Sequence, residues 1–274
     1  MEIFGKVVVI TGGASGIGKA LAKRFHMEGA EEIVIADRDS KGASEVAAEV
    51  GGRAATCDVA DGDQIRALID DTVSRNGRVD LVVSNAGYVT VGGLEVSDDE
   101  VVDMFQVHVM AHLHAARYAI PYMVEQGGGW LLNTASAAGL LTQIGSLAYS
   151  VTKHASVALA EWIAITYGDR GIGVSVLCPQ AVETNIALNS PTAGYVGGKL
   201  SNVAAGDGVL APEVLATAVV EGLAEERFYI LPHPEVASYL QRKGDDVDRW
   251  IAGMRRLQAR LFQKSSDPAD WLIG

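Results

Sequence analysis

The chain has 274 residues, 49% of them hydrophobic, a formal net charge of −12, a pI of about 4.9 and two cysteines. This is enough apolar material for one sizeable α/β core. The negative balance excludes a surface built for nucleic acid or an anionic membrane, and no run of about 18 apolar residues spans a bilayer.

Short β-rich runs alternate with helical ones. The first strand is predicted at 6–10, KVVVI, as a continuous β-branched run that reads as buried. A helix follows over 16–29, and between the two stand Gly12, Gly16 and Gly18. Glycines there let the backbone turn tightly and approach a pyrophosphate, whose charge the helix N-terminus favours. The second strand, EIVIA at 32–36, runs into Asp37, 19 residues after Gly18. A carboxylate there can hydrogen-bond adenosine ribose hydroxyls and repels a 2′-phosphate, so NAD is favoured over NADP. Arg38 works against this, since a guanidinium can hold a phosphate.

A helix is predicted over 40–50, then a third strand at 53–58, whose end offers Asp58 and Val59 to an adenine. A helix over 62–76 leads to the fourth strand, VDLVVS at 79–84, followed by Asn85, Ala86 and Gly87 along the middle of a cofactor. All these segments fall at carboxyl ends of strands, where open α/β sheets bind ligands.

The helical region over 98–126 contains FQVHVMAHLHAARYA. His108 and His112 are four apart and share a helix face, the spacing of a zinc pair. There is no HExxH pattern, and His114 lies about 200° around the helix from His112, so no metal site is expected. His112 and His114 are predicted to be buried in a helix–helix contact.

The fifth strand is GWLLNTA at 129–135, a helix covers 148–168, and the sixth strand is IGVSVLC at 172–178. Tyr149 and Lys153, four apart at the start of that helix, share a face. A phenol is a poor base at neutral pH, but a nearby ammonium lowers its pKa. Ser136 follows the fifth strand and can donate to a carbonyl or alkoxide oxygen. After Pro179 the stretch 185–210 lacks periodicity and reads as a mobile loop. A helix over 212–225 and a short strand, RFYIL, complete a doubly wound (Rossmann) parallel sheet of about seven strands with helices on both faces. One domain over 1–233 is expected, with a helical extension over 234–274. In that extension Val247, Trp250, Ile251, Met254, Leu257, Leu261 and Phe262 form an apolar stripe, read as packing on the domain or on a partner subunit.

TGGASGIG at 11–18, NAG at 85–87, Ser136, YSVTK at 149–153 and CPQAVET at 178–184 together resemble the short-chain dehydrogenase/reductase family, in register over about residues 4–231. The resemblance implies that Tyr149 is the general acid/base, that Ser136 orients the substrate oxygen, and that Lys153 lowers the tyrosine pKa and binds the nicotinamide ribose. It implies cofactor contacts from Ser15, Ile17 and Pro179, from Val182 and Thr184 at the carboxamide, and closure of the 185–210 loop over the substrate. It also implies pairing of the two long helices into a homotetramer, a dimer of dimers.

Three positions depart from the family pattern. Ser84 stands for the first Asn of NNAG, and Gln180 for a Gly. His108 stands for an Asn whose backbone carbonyl helps hold a water touching the lysine, and the imidazole could itself join that proton relay. The expected function is NAD-dependent interconversion of a secondary alcohol and a ketone, on a small apolar substrate bounded by Leu141, Ile144, Ala181 and Tyr195. The alternatives are a nucleotide-sensing or scaffold protein and a sugar epimerase or dehydratase, both on this fold. Cys57 and Cys178 sit in apolar surroundings without a disulfide framework, and MEIFGKVVVITGG lacks the features of a signal peptide, which predicts a cytoplasmic location.

Overall fold

The computed structural model describes residues 1–184, 186 and 205–262. Seven parallel strands form one sheet in the order β3-β2-β1-β4-β5-β6-β7. These are β1 (Val7–Thr11), β2 (Glu32–Asp37), β3 (Arg53–Thr56), β4 (Leu81–Ser84), β5 (Gly129–Thr134), β6 (Ile172–Leu177) and β7 (Tyr229–Ile230). The doubly wound sheet predicted from the alternation is present, with strand ends shifted by at most two residues. Chain order reverses between β1 and β4, so their carboxyl ends diverge and leave a crevice.

The helices cover both faces. One apolar cluster joins Val9, Val82 and Leu131 to α3 (Gly62–Asn76), α5 (Ala111–Glu125) and α7 (Leu147–Tyr167). The other joins Val8, Ile10 and Leu132 to α1 (Gly16–Met27), α2 (Ser40–Val50) and α8 (Pro212–Ala224). Strand alternation thus feeds both cores, which is why β1 is buried at every position. Local chemistry sets the helix ends. Asp61 caps α3 by accepting from the amides of Asp63 and Gln64, and Gly77 closes it in the left-handed region at φ +72°.

The helical region expected over 98–126 is α4 (Asp98–Phe105) and α5 joined by a π turn, Gln106–Met110. Its periodicity hid the extra residue, and His108 sits at the turn's centre. A short helix that the sequence did not announce, α6 (Ala138–Leu141), follows β5. The C-terminal extension is two helices, α9 (Glu235–Asp245) and α10 (Val247–Phe262). α9 packs against α6 and α10 against α9, where the Tyr239 and Trp250 rings lie 6.4 Å apart. Val247 and Ile251 of the apolar stripe are exposed. The side chains of Leu261 and Phe262, Tyr195, and most of the 185–210 loop lie outside the described residues. Among the described residues no helix is long and apolar enough to cross a membrane.

Candidate active site

A cleft of about 520 Å3 opens over the carboxyl ends of the central strands. Of the residues expected at the cofactor, all but Gly18 line it. Asp37, Arg38, Asp58 and Val59 stand at one end, Tyr149, Lys153 and Pro179 at the other, and the 85–87 segment between them. Gly18 instead lies buried beneath the turn after β1. A Cβ there would fall 2.2 Å from the Gly12 carbonyl oxygen, so its smallness lets α1 close on the turn.

The floor is one hydrogen-bonded unit. Asn85 Nδ2 donates to the carbonyls of Thr11 (3.0 Å) and Gly12 (3.3 Å), while Thr11 Oγ1 accepts from the Asn85 amide (3.0 Å). Thr134 Oγ1 donates to Asn85 Oδ1 (3.3 Å), which binds the turn to β5. Gly12 has φ +65°, and a Cβ on it would sit 2.8 Å from Ala86 Cα, so only glycine allows this approach. Asp37 is fixed by accepting from the amides of Ala14 (3.1 Å) and Asp39 (3.0 Å). A bare glycine turn at a helix N-terminus, a fixed carboxylate at the end of β2 and a cleft joining them to a lysine fit a dinucleotide cofactor.

At the other end Lys153 is buried and its Nζ donates to the Thr134 carbonyl (2.9 Å). Its ammonium lies 5.6 Å from the centre of the Tyr149 ring. Burial pushes the Lys153 ammonium down to about 8. Burial raises the Tyr149 phenol, and the neighbouring Ser136 hydroxyl pulls it the other way. Ser136 is half-buried, and its Oγ accepts from the Ala138 amide (3.1 Å) and reaches the Pro179 carbonyl (3.4 Å). Between Ser136 and Tyr149 the chain turns through Thr142 at φ +73°, a strained conformation for a β-branched residue. Ser150 Oγ holds the turn by accepting from the Gln143 amide (2.8 Å).

The sequence profile of the short chain dehydrogenase family matches residues 6–193. The chain belongs to that family. It is 33% identical over 263 residues to a 1-deoxy-11-beta-hydroxypentalenate dehydrogenase of Streptomyces exfoliatus, covering 92% of each chain. It is 33% identical over 211 residues to the 3beta-hydroxysteroid dehydrogenase 2 of Eggerthella lenta, covering 70% of this chain and 81% of that one. Among solved structures, a short chain dehydrogenase/reductase from Burkholderia phymatum in complex with NAD superposes with a TM-score of 0.79 at 32% identity, over 90% of this chain and 96% of that one.

Among the described residues the histidine run is not part of a group of three or more side chains that could hold a metal ion. Both ring nitrogens of His108 face protein groups, the amide of Tyr88 and the hydroxyl of Thr152. His114 packs against Gly62 at the start of α3, and His112 is buried. Of the expected substrate-side residues, Ile144 and Ala181 are buried and Leu141 is half-buried beside the core. Sequence reasoning missed Thr134, Tyr88 and Thr152, which act through a backbone group or from behind the cleft. It also missed the tie at Gln180. The Gln180 amide donates to His233 Nδ1 (3.1 Å), and its side chain donates to Asp207 (2.8 Å), which also accepts from Tyr239 of α9. Gln180 was legible only as a departure from the family pattern.

Proposed function

We propose that this chain is an NAD-dependent oxidoreductase that interconverts a secondary alcohol and a ketone. The observation that carries the reading is that Tyr149 and a buried Lys153 line one end of the cleft, with the Ser136 hydroxyl beside the phenol, and the fixed carboxylate of Asp37 lines the other. When bound, the cofactor supplies hydride exchange at the carbinol carbon. In the oxidative direction Tyr149 takes the hydroxyl proton at its phenolic oxygen, and in the reductive direction it returns it. An ammonium 5.6 Å from the ring favours the phenolate that must form. Ser136 Oγ donates to the substrate oxygen and holds it toward the phenol. Asp37 accepts from ribose hydroxyls and repels a 2′-phosphate, which supports NAD over NADP.

The substrate is a largely apolar molecule bearing a hydroxyl or ketone. Relatives named for a hydroxypentalenate and a hydroxysteroid support this. The protein works as a homo-oligomer, a dimer of dimers paired through α5 and α7. Val151, Trp162 and Ile165 form an exposed apolar face on α7 that supports the pairing. The free, buried cysteines Cys57 and Cys178 fit a cytoplasmic setting.

Fluorescence titration with NADH and NADPH at one fixed salt concentration, followed by turnover of secondary alcohols with NAD, tests the proposal. Tighter NADH and turnover of alicyclic alcohols are the expected results. Tighter NADPH reverses the cofactor assignment, and binding of neither brings the scaffold reading forward.

A further inference from the structure

We propose that His108 is a neutral, two-ended positioning residue that fixes the acid/base tyrosine and the Gly87–Tyr88 turn of the cofactor cleft to one imidazole. This rests on the reading of Tyr149 as the proton-transfer group. Hydrogen-bond direction carries the inference. The Tyr88 amide can only donate, so Nε2, 3.2 Å away, must present its lone pair. Nδ1 then carries the ring proton and donates to Thr152 Oγ1 at 3.0 Å. Thr152 Oγ1 passes its own hydrogen back to the Ala148 carbonyl (2.9 Å), one turn earlier on the helix that bears Tyr149. The ring also stands edge-on to Tyr149, with centroids 5.6 Å apart and planes at 82°.

The front end of the strut is the wall of the cleft. Gly87 and Tyr88 both line it, and a Cβ on Gly87 would lie 3.1 Å from His108 Nε2. The back end is the helix segment from Ala148 to Lys153. A proton on Nε2 would set two donors against each other and break the front contact. Full burial beside the Lys153 ammonium works against that charged form as well. The backbone carbonyl of His108 is engaged too, accepting from Ser156 Oγ at 2.7 Å. Neither ring nitrogen is left to carry a proton to solvent.

Two substitutions separate the ends, because an Asn amide reaches the Nδ1 position and a Gln amide the Nε2 position. His108→Asn keeps a donor toward Thr152 and loses the acceptor for Tyr88. It is expected to weaken NADH binding about tenfold, roughly one net hydrogen bond, with kcat nearly retained. His108→Gln keeps the acceptor and loses the donor. It is expected to lower kcat about tenfold with NADH affinity nearly retained. In both, the apparent pKa of the kcat–pH profile stays where it is in the wild type.

A profile that loses an ionisation, or moves by about a unit or more, makes the ring a proton carrier and overturns the proposal. Parallel loss of kcat and NADH affinity in both variants reduces His108 to a space-filler and overturns it too. Should the variants fail to fold, nitrogen-15 NMR of the wild-type histidines decides. One neutral ring protonated at Nδ1 and unchanged from about pH 6 to 9 is expected. No such ring would overturn the strut. Turnover surviving in Tyr149→Phe would sink the dehydrogenase reading instead, whatever the His108 variants do.

Discussion

The backbone amide of Ala14 donates to Oδ2 of Asp37 across 3.1 Å, tying the glycine turn after β1 to the acid that ends β2. The tie orients the carboxylate before any cofactor arrives. It also separates two jobs of one side chain, since an amide in its place keeps an acceptor for Ala14 but not the charge. Asp37→Asn is therefore expected to keep the fold and raise NADPH affinity relative to NADH by about tenfold or more, because the repulsion of a 2′-phosphate is gone. Arg38 is exposed beside it and is then free to pair with that phosphate. Titration of both nucleotides at one salt concentration reads the result. An unchanged ratio would show that Asp37 does not set cofactor choice.

Tyr149→Phe removes the phenolic oxygen and leaves the ring that packs edge-on to His108. Turnover is expected to fall by about a thousandfold or more, as for loss of a general acid/base acting with an electrostatic partner. NADH affinity should change by less than about threefold, because only one cleft-lining group is altered. Stopped-flow turnover and fluorescence titration on the same preparation check both halves. Retained turnover would move the proton transfer to another group.

The sheet was legible because its signals are local and strong. β1 and β6 are β-branched runs ending at a glycine turn and just before Pro179, and each lies within one residue of where its pattern put it. The cleft residues were legible because the doubly wound topology sends every strand end to one edge. The π turn at His108 was not, since one extra residue inside an apolar helix leaves the 3.6-residue period almost intact. Thr134 was invisible as a functional position because its carbonyl, not its side chain, holds Lys153. The ties from Gln180 to His233 and Asp207 join residues 27 and more positions apart, and nothing in the composition announces them.

His112 makes the folded state sensitive to acid. It is buried, both its ring nitrogens are without a partner among the described residues, and burial pushes it down to about 3 from 6.5. Between those values the unfolded chain takes up a proton that the folded chain refuses. Its stability contribution is therefore fully present above about pH 6.5 and is lost as pH falls toward 3. At about pH 5 the loss amounts to roughly 2 kcal/mol from this residue, and His108 shifts in the same direction. His112→Leu should remove that share of the acid loss and leave stability near neutrality little changed, since an orphaned polar ring is replaced by an apolar group. Denaturant unfolding at about pH 7.5 and 5 measures it. A variant that loses as much stability as the wild type would contradict the assignment.

Gly18 and Gly77 separate close approach from backbone strain. A Cβ on Gly18 would lie 2.2 Å from the Gly12 carbonyl oxygen and 2.8 Å from Asn85 Nδ2, the atom that latches β4 to the glycine turn. Gly77 closes α3 at φ +72°, and a Cβ there would meet nothing within 4 Å. Gly77→Ala is expected to cost about 1 kcal/mol of stability through the left-handed backbone alone, with NADH binding intact. Gly18→Ala must move α1, the turn or Asn85, at a cost of about 1–3 kcal/mol for the overpacking. Because those elements form the cofactor-facing wall, NADH affinity should fall more than about tenfold at temperatures where circular dichroism still shows the native helix content. If the Gly18 variant binds NADH like the wild type while losing the same stability, the turn after β1 supports the fold without seating the cofactor.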